Sequence, residues 1–343
     1  MSYRRIIVGT DGSETARIAE RTAALLARAA DAHLLVASAY KGAPEQAETI
    51  LQRSLENARE VWPRVSARKE RGNASDVLVS LARDEQADLL VVGNKGMTGR
   101  AHFLLGSVPD SVSHQAPCDL LIVKTSSVNG SLQGQGLYQK VLIATDGSPT
   151  SLEAVKRGFR IAARLGATPV LFYAGHPRTA EVVFAEVVRE FLPAGMLQTA
   201  SAEGDPGDAI CEVAQKEGYD LVVLGNKGMV GGRWHIGLVP NKVSHQAPTD
   251  LLIVKTVGAT SADLAHGEGA VIKVEGESVA VYKDESGAVL MLSPRCTHMG
   301  CTVGWNSFDR TWDCPCHGSR YDARGEVIRG PATRELARVD DKS

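Results

Sequence analysis

The stretch "RIIVGTDGSETARIAERTAALLARAA", residues 5–30, runs from an apolar segment through Thr10-Asp11-Gly12-Ser13 into a second pattern of different period. The first part is apolar without alternation, as a strand covered on both faces must be. Ser13 stands where its hydroxyl can cap a helix, and the apolar residues that follow recur at helical spacing. Further on, "HLLVASAY" (33–40) reads as a strand, "DVLVSLARDEQA" (76–87) as a helix and "DLLVVGNKG" (88–96) as another fully apolar strand ending in glycines. Wholly apolar strands alternating with helices predict an α/β fold, a doubly wound parallel sheet with helices on both faces. In such sheets ligands sit beyond the carboxyl ends of the strands, where both "TDGS" and "GNKG" fall.

The same series occurs twice. "TDGS" stands at 10–13 and 145–148, "GNKGM" at 93–97 and 225–229, "VSHQAP" at 112–117 and 243–248, and "DLLIVKT" at 119–125 and 250–256. The offsets are 135, 132, 131 and 131, so small deletions separate two copies of one domain. In the second copy "KVLIATD", "TPVLFYAG", "DAICEVAQKEG" and "DLVVLGNKG" take the corresponding places. "SSVNGSLQGQGLYQ" (126–139) is polar and rich in Gly and Ser, as a linker should be, and "VGATSADLAHGEG" (257–269) is a second such segment. Beyond it no helical period appears, only short strand patterns, which predicts a small all-β domain. The expected organisation is domain one at 1–125, a linker at 126–139, domain two at 140–256, a linker at 257–269 and an all-β domain at 270–343.

The glycines of the first copy have a long and complete spacing. Gly93 and Gly96 are followed, after nine intervening residues, by Gly106-Ser107 at the start of a helical segment. Glycines let backbone N–H groups close on phosphate oxygens, a helix N-terminus adds partial positive charge, and the Ser hydroxyl is a further donor. Alternatively the glycines only permit a tight turn and close packing. The pattern resembles the ATP-binding branch of the universal stress protein family, G-x2-G-x9-G-(S/T), in every glycine and in Ser107. That resemblance implies a Rossmann-like, adenine-nucleotide alpha-hydrolase-like fold, ATP bound in the first domain, and Asp11 at the adenine end of the nucleotide. The second copy keeps Asp146, Gly225 and Gly228, but Gly237 comes one residue early and Leu238 replaces the Ser, so a second site is weaker. The resemblance further implies that the two copies pair as an intramolecular pseudo-dimer through the "DLLIVKT" strands, with homo-oligomers possible in addition. The repeated His114 and His245, at helix ends, read as structural, and Cys118 and Cys211 as small buried residues.

The all-β part holds "CTHMGCTVGWNSFDRTWDCPCHGS", residues 296–319. Cys296-x-His298 and Cys314-x2-His317 form two Cys/His pairs, a donor set that spacing alone leaves open to tetrahedral zinc. The extra cysteines, Cys301 and Cys316, and the motif "CTHMGC … CPCHGS" resemble the Rieske iron–sulfur family. By that resemblance a [2Fe–2S] cluster is held by Cys296 and Cys314 on one iron and by His298 and His317 on the other. It also implies that Cys301 and Cys316 form a disulfide between the two loops, that the hydroxyls of Ser319 and Tyr321 bond the cluster's sulfurs, and that "GPA" (330–332) shields it.

With 38 Lys and Arg against 40 Asp and Glu, the chain shows neither a nucleic-acid footprint nor a polybasic membrane patch. No apolar run approaches the ~18 residues of a membrane span, and the N-terminus lacks a secretory pattern, so a soluble cytoplasmic protein is expected. Both motif sets in one chain point to an electron-transfer, redox-responsive stress protein with an unidentified redox partner. A plain carrier component of an oxidoreductase system, with nucleotide binding vestigial, is the alternative. No self-contained catalytic site is visible, so whether the chain is an enzyme stays open.

Overall fold

The computed structural model describes residues 3–94, 105–124, 137–191, 197–226, 237–255, 264, 266–274, 277–306, 309–314 and 317–339. The chain divides into two compact units, one holding both sequence repeats and one formed after Lys255.

In the repeat unit the first copy runs β1 (Arg5–Gly9), α1 (Glu14–Ala30), β2 (His33–Tyr40), α2 (Glu45–Val61), β3 (Val65–Arg71), α3 (Ala74–Asp84), β4 (Leu89–Gly93), α4 (Ser107–Gln115) and β5 (Asp119–Val123). The second copy runs β6 (Lys140–Ala144), α5 (Pro149–Leu165), β7 (Thr168–Ala174), α6 (Pro177–Phe191), β8 (Gln198–Ala202), α7 (Pro206–Lys216), β9 (Leu221–Gly225), α8 (Leu238–Gln246) and β10 (Asp250–Val254). Local chemistry explains the helix ends. The Ser13 hydroxyl accepts the Ala16 N–H at 3.2 Å, Ser148 caps α5 by accepting from Ser151, and Asp205 caps α7 ahead of Pro206. Gly166 closes α5 in the left-handed conformation, which an L side chain resists.

The strands form one sheet in the order β3-β2-β1-β4-β5-β10-β9-β6-β7-β8. Every pairing is parallel except β5 with β10, which is antiparallel, with Leu121 opposite Leu252. The two copies are therefore halves of a single sheet related across that seam. Its core is aliphatic: Ile6, Leu34, Val36, Leu89, Leu121, Ile143, Val223 and Leu252 are buried. The sheet terminates in polar edge strands, "VSARKER" and "QTASA", whose exposed outer faces do not invite further pairing. Leu137 and Tyr138, placed at the end of the expected first linker, are buried in this core.

The seam carries reciprocal buried carboxylates. Asp119 Oδ1 accepts the Lys255 N–H at 2.9 Å and Asp250 Oδ1 accepts the Lys124 N–H at 2.8 Å. The Tyr3 hydroxyl donates to Asp119 Oδ2 at 2.8 Å, and the Tyr138 hydroxyl to Asp250 Oδ2 at 2.7 Å. The symmetry breaks at Arg157, whose guanidinium lies 2.9 Å from Asp119; its counterpart in the first copy is the buried Thr22.

The second unit has a three-stranded antiparallel sheet of β11 (Glu268–Val274), β12 (Glu277–Lys283) and β13 (Val289–Leu292). A four-stranded one holds β14 (Gly304–Asn306), β15 (Thr311–Asp313), β16 (Arg320–Tyr321) and β17 (Val327–Arg329). Strand β11 thus begins inside the stretch expected as the second linker. Trp305 and Trp312 face each other across β14 and β15 with ring centroids 4.9 Å apart, edge to face. Gly269 is needed beside them, since a Cβ there would lie 2.7 Å from Trp305 Cδ2. Among the described residues no helix is long and apolar enough to cross a membrane.

Candidate functional site

In the first copy β1 and β4 are parallel neighbours, Val8 opposite Val91, so Asp11 and Gly93 emerge at the same end of the sheet. Gly12, at φ 77°, turns the chain into α1 while Asp11 Oδ1 accepts the Ser13 N–H at 3.0 Å. The start of α4 is tied to the end of β4, because Gly106 N–H donates to the Asn94 carbonyl at 2.9 Å. Gly106 is the N-cap of α4 and Ser107 its first residue, which places an N-terminal turn beside Asp11's strand end. Gly96 lies outside the described residues. The second copy repeats the frame with Asp146 accepting the Ser148 N–H at 3.0 Å and Asn226 N–H bonding the Val254 carbonyl at 3.0 Å. Gly225 closes β9 there, Gly228 lies outside the described residues, and α8 opens with Leu238, 90% exposed, in place of a serine hydroxyl.

The repeated histidines belong to helix ends. His114 Nδ1 and His245 Nδ1 each approach a carbonyl one turn back at 2.9 Å, and His245 Nε2 reaches across to Asp110 Oδ1 at 3.7 Å. Burial pushes the Cys118 thiol up to about 12 and the Cys211 thiol to about 11, which disfavours the reactive thiolate.

In the second unit two loops of matching construction bring the Cys/His motif together. After β13, Cys296 N–H donates to the Cys301 carbonyl at 2.7 Å and Gly300 N–H to the Cys296 carbonyl at 2.8 Å. After β15, Cys314 N–H donates to the Ser319 carbonyl at 2.8 Å and Gly318 N–H to the Cys314 carbonyl at 3.1 Å. Both glycines are left-handed, at φ 73° and 74°, so each loop needs one at that step. The result puts Cys296 and Cys314 inside, 2% and 3% exposed, and leaves His298 and His317 at the surface with ring centroids 5.0 Å apart.

The surroundings favour a charged sulfur. Burial pushes the Cys296 thiol up, but hydrogen bonds from the Tyr321 hydroxyl, the His298 backbone, Cys314 and Ser319 outweigh it and hold the thiol below its ordinary value. Tyr321 O–H donates to Cys296 Sγ at 3.1 Å and accepts the Thr297 N–H at 3.0 Å. Its own pKa is raised, first by burial and then by the Cys296 contact. Ser319, fully buried, accepts the Ala332 N–H at 3.0 Å, which ties the "GPA" segment to the second loop. Thr297, which the sequence reading passed over, completes the arrangement by donating its hydroxyl to the Arg334 carbonyl at 2.5 Å. Cys301 is disulfide-bonded; Cys316, its expected partner, lies outside the described residues. Among the described residues no three His, Cys, Asp or Glu side chains gather on one metal position. The described donors stand as a buried thiol pair and an exposed imidazole pair, a chemistry that a two-iron centre with thiolates on one side and imidazoles on the other would use.

Comparison with known proteins agrees with both halves. Residues 2–124, 137–190 and 188–255 match the universal stress protein family. The chain belongs to that family. Residues 255–340 match the Rieske [2Fe-2S] domain, so the universal stress protein repeats are followed by a C-terminal Rieske domain. The universal stress protein Rv1636 of Mycobacterium tuberculosis is 40% identical over 145 residues, covering 36% of this chain and 99% of that one. The cytochrome b6-f complex iron-sulfur subunit 2 of Trichormus variabilis is 42% identical over 102 residues, 30% of this chain, which spans only 54% of that relative. Protein PA1789 of Pseudomonas aeruginosa, functionally unknown, shares the fold at a TM-score of 0.58 and 20% identity over 74% of this chain and 93% of its own.

Proposed function

We propose that this universal stress protein is redox-responsive: it carries a Rieske [2Fe–2S] cluster in its C-terminal unit, binds ATP in its first repeat and works in the cytoplasm with a separate redox partner. The observation that carries the reading is the convergence of two like-built loops on buried Cys296 and Cys314 and exposed His298 and His317. Cys296 and Cys314 would hold one iron and His298 and His317 the other, and the cluster, when bound, supplies one-electron transfer at the high potential that imidazole ligands favour. The protein's own part is to exclude water from the thiolate side, to stabilise negative charge on Cys296 through Tyr321 and Ser319, and to present the imidazole side to a partner. We take Cys316 as the disulfide partner of Cys301. For ATP, the support is that Asp11, Gly93, Gly106 and Ser107 lie about adjacent strand ends in the family's order, with Gly96 completing the motif; Asp146, Gly225 and Gly228 form at most a weaker second site.

The test is an EPR spectrum of anaerobically purified, dithionite-reduced protein alongside metal analysis and ATP titration. A rhombic Rieske signal lost on His317→Ala, with ATP bound at one strong site per chain, is the expected outcome. Zinc in place of iron, or no ATP binding, would each remove one half of the reading. Met299, 68% exposed between His298 and Gly300, favours a second reading as a simple carrier, because an apolar tip beside the imidazoles suits brief docking. ATP with no effect on the redox centre, together with rapid electron exchange with an oxidoreductase, would favour that second reading.

A further inference from the structure

The two repeats hold the same turn in different ways. In the first, Glu20 on α1 is 3% exposed, and its Oε1 accepts the Thr10 hydroxyl at 2.5 Å and the Ser54 hydroxyl of α2 at 2.9 Å. Thr10 Oγ1 in turn accepts the Gly12 N–H at 3.1 Å. A polar chain therefore runs from the Gly12 amide, next to Asp11, through β1's end and α1 to α2. The packing is close on the same side, since a Cβ on Gly12 would lie 3.0 Å from Ile50 Cγ1 of α2.

The second repeat lacks this clamp. Nine residues after Asp146 stands Val155 in place of Glu20, and four residues after Val183, which faces Gly147 as Ile50 faces Gly12, stands Val187 in place of Ser54. Both valines are fully buried. Thr145 instead shares a hydrogen bond with Ser151 at 2.9 Å, where the first repeat has Ala16. The Gly147 N–H still reaches Thr145 at 3.1 Å, and the glycines have almost the same φ, 77° and 79°. The fold thus forms the turn without a buried carboxyl on the helix that follows it.

Retaining one is costly, because Glu20 Oε2 is buried with no hydrogen-bond partner among the described residues. Burial pushes the Glu20 carboxyl up, against the hydroxyl donors and Arg17. Incompletely satisfied buried groups are retained where function needs them, and the neighbouring repeat shows that an apolar replacement packs. We infer that Glu20 is a positioning residue for the adenine-nucleotide site: it locks the Asp11–Gly12 turn of the first repeat to α2, and its loss in the second repeat contributes to that repeat's weaker site. This rests on the nucleotide reading above.

The experiment uses the full chain with three variants. Glu20→Gln keeps the neutral acceptor. Glu20→Val removes it, and the set Ala16→Ser, Glu20→Val, Ser54→Val installs the second repeat's own solution, so it keeps a packing already known to fold in this chain. ATP affinity is measured together with hydrogen exchange at Gly12, using peptides around Gly147 as the internal standard. Both valine variants should weaken ATP binding about tenfold, the scale of one lost positioning contact, and speed Gly12 exchange while Gly147 exchange stays constant. Glu20→Gln should behave as wild type. A folded triple variant that binds ATP like wild type, or that leaves Gly12 exchange unchanged, would overturn the inference alone. A wild-type chain that binds no ATP would overturn the nucleotide reading, and the inference with it.

Discussion

Two side chains make opposite demands on buried charge. Tyr321 donates to Cys296 Sγ at 3.1 Å, a contact that strengthens as negative charge accumulates on that sulfur. Tyr321→Phe should therefore lower the midpoint potential by about 40–60 mV, the one-electron equivalent of about 1 kcal/mol, in a redox titration followed by EPR. An unchanged midpoint would mean that the hydroxyl serves packing alone. Glu20 works in the other direction, because burial raises its folded pKa above the 4.5 of a free glutamate, helped by Asp11 and opposed by Thr10, Ser54 and Arg17. The native state therefore holds its proton more tightly than the unfolded chain. The stabilisation this provides is full below the unfolded pKa and is lost as pH rises through the folded one. Urea unfolding should show wild-type stability, relative to Glu20→Gln, declining as pH increases from about 4.5 toward neutrality; a flat difference would contradict the raised pKa. The two Cys/His pairs were legible in the sequence because their chemistry and spacing are local. Glu20 and Thr297 were not, since Glu20 acts through a serine 34 residues away and Thr297 through a tyrosine 24 residues away.

Among the elements, the central strands were readable because a strand covered on both faces is apolar throughout, and each such run occurs twice. Strands β3 and β8 escaped because sheet edges are half solvated, and the long α2 because polar residues dominate its exposed face. The register and polarity of β5 against β10 needed the structure, although their shared sequence suggested pairing. That seam is asymmetric, and its asymmetry can be measured. Asp119→Ala would leave the Tyr3 hydroxyl, the Lys255 N–H and the half-buried Arg157 guanidinium without this acceptor, whereas Asp250→Ala would take its acceptor from two neutral donors, the Tyr138 hydroxyl and the Lys124 N–H. Losing the partner of a buried charge costs about 3–5 kcal/mol, and each unsatisfied neutral donor about 1–3 kcal/mol. Asp119→Ala should accordingly be the more destabilising of the two in denaturant melts of the full chain, and adding Thr in place of Arg157 should recover part of the loss. Equal destabilisation would show that Arg157 finds water instead.

At the scale of the whole molecule, duplication and the Cys/His motif made the division into repeats and a cluster-binding module visible, but no sequence pattern says whether the modules communicate. Thermodynamics supplies a criterion that requires no knowledge of how the units are arranged. If reduction of the cluster changes ATP affinity by a given factor, ATP must shift the midpoint by the same free energy, about 59 mV for a tenfold change in a one-electron couple. A redox-responsive stress protein requires that both quantities differ from zero and agree. We expect ATP titrations of the oxidised and reduced chain to give different dissociation constants, and redox titrations with and without saturating ATP to give the matching shift, its sign revealing which redox state binds ATP more tightly. Asp11→Ala, which removes the carboxylate proposed to meet the nucleotide and lies far in sequence from the Cys/His pairs, should abolish the shift while leaving the ATP-free midpoint unchanged. A shift that survives Asp11→Ala would place ATP elsewhere on the chain. Two legs that disagree would expose a further linked equilibrium, such as self-association. Two legs that are both zero would make the repeats and the cluster module tethered but independent, and the carrier reading would then stand.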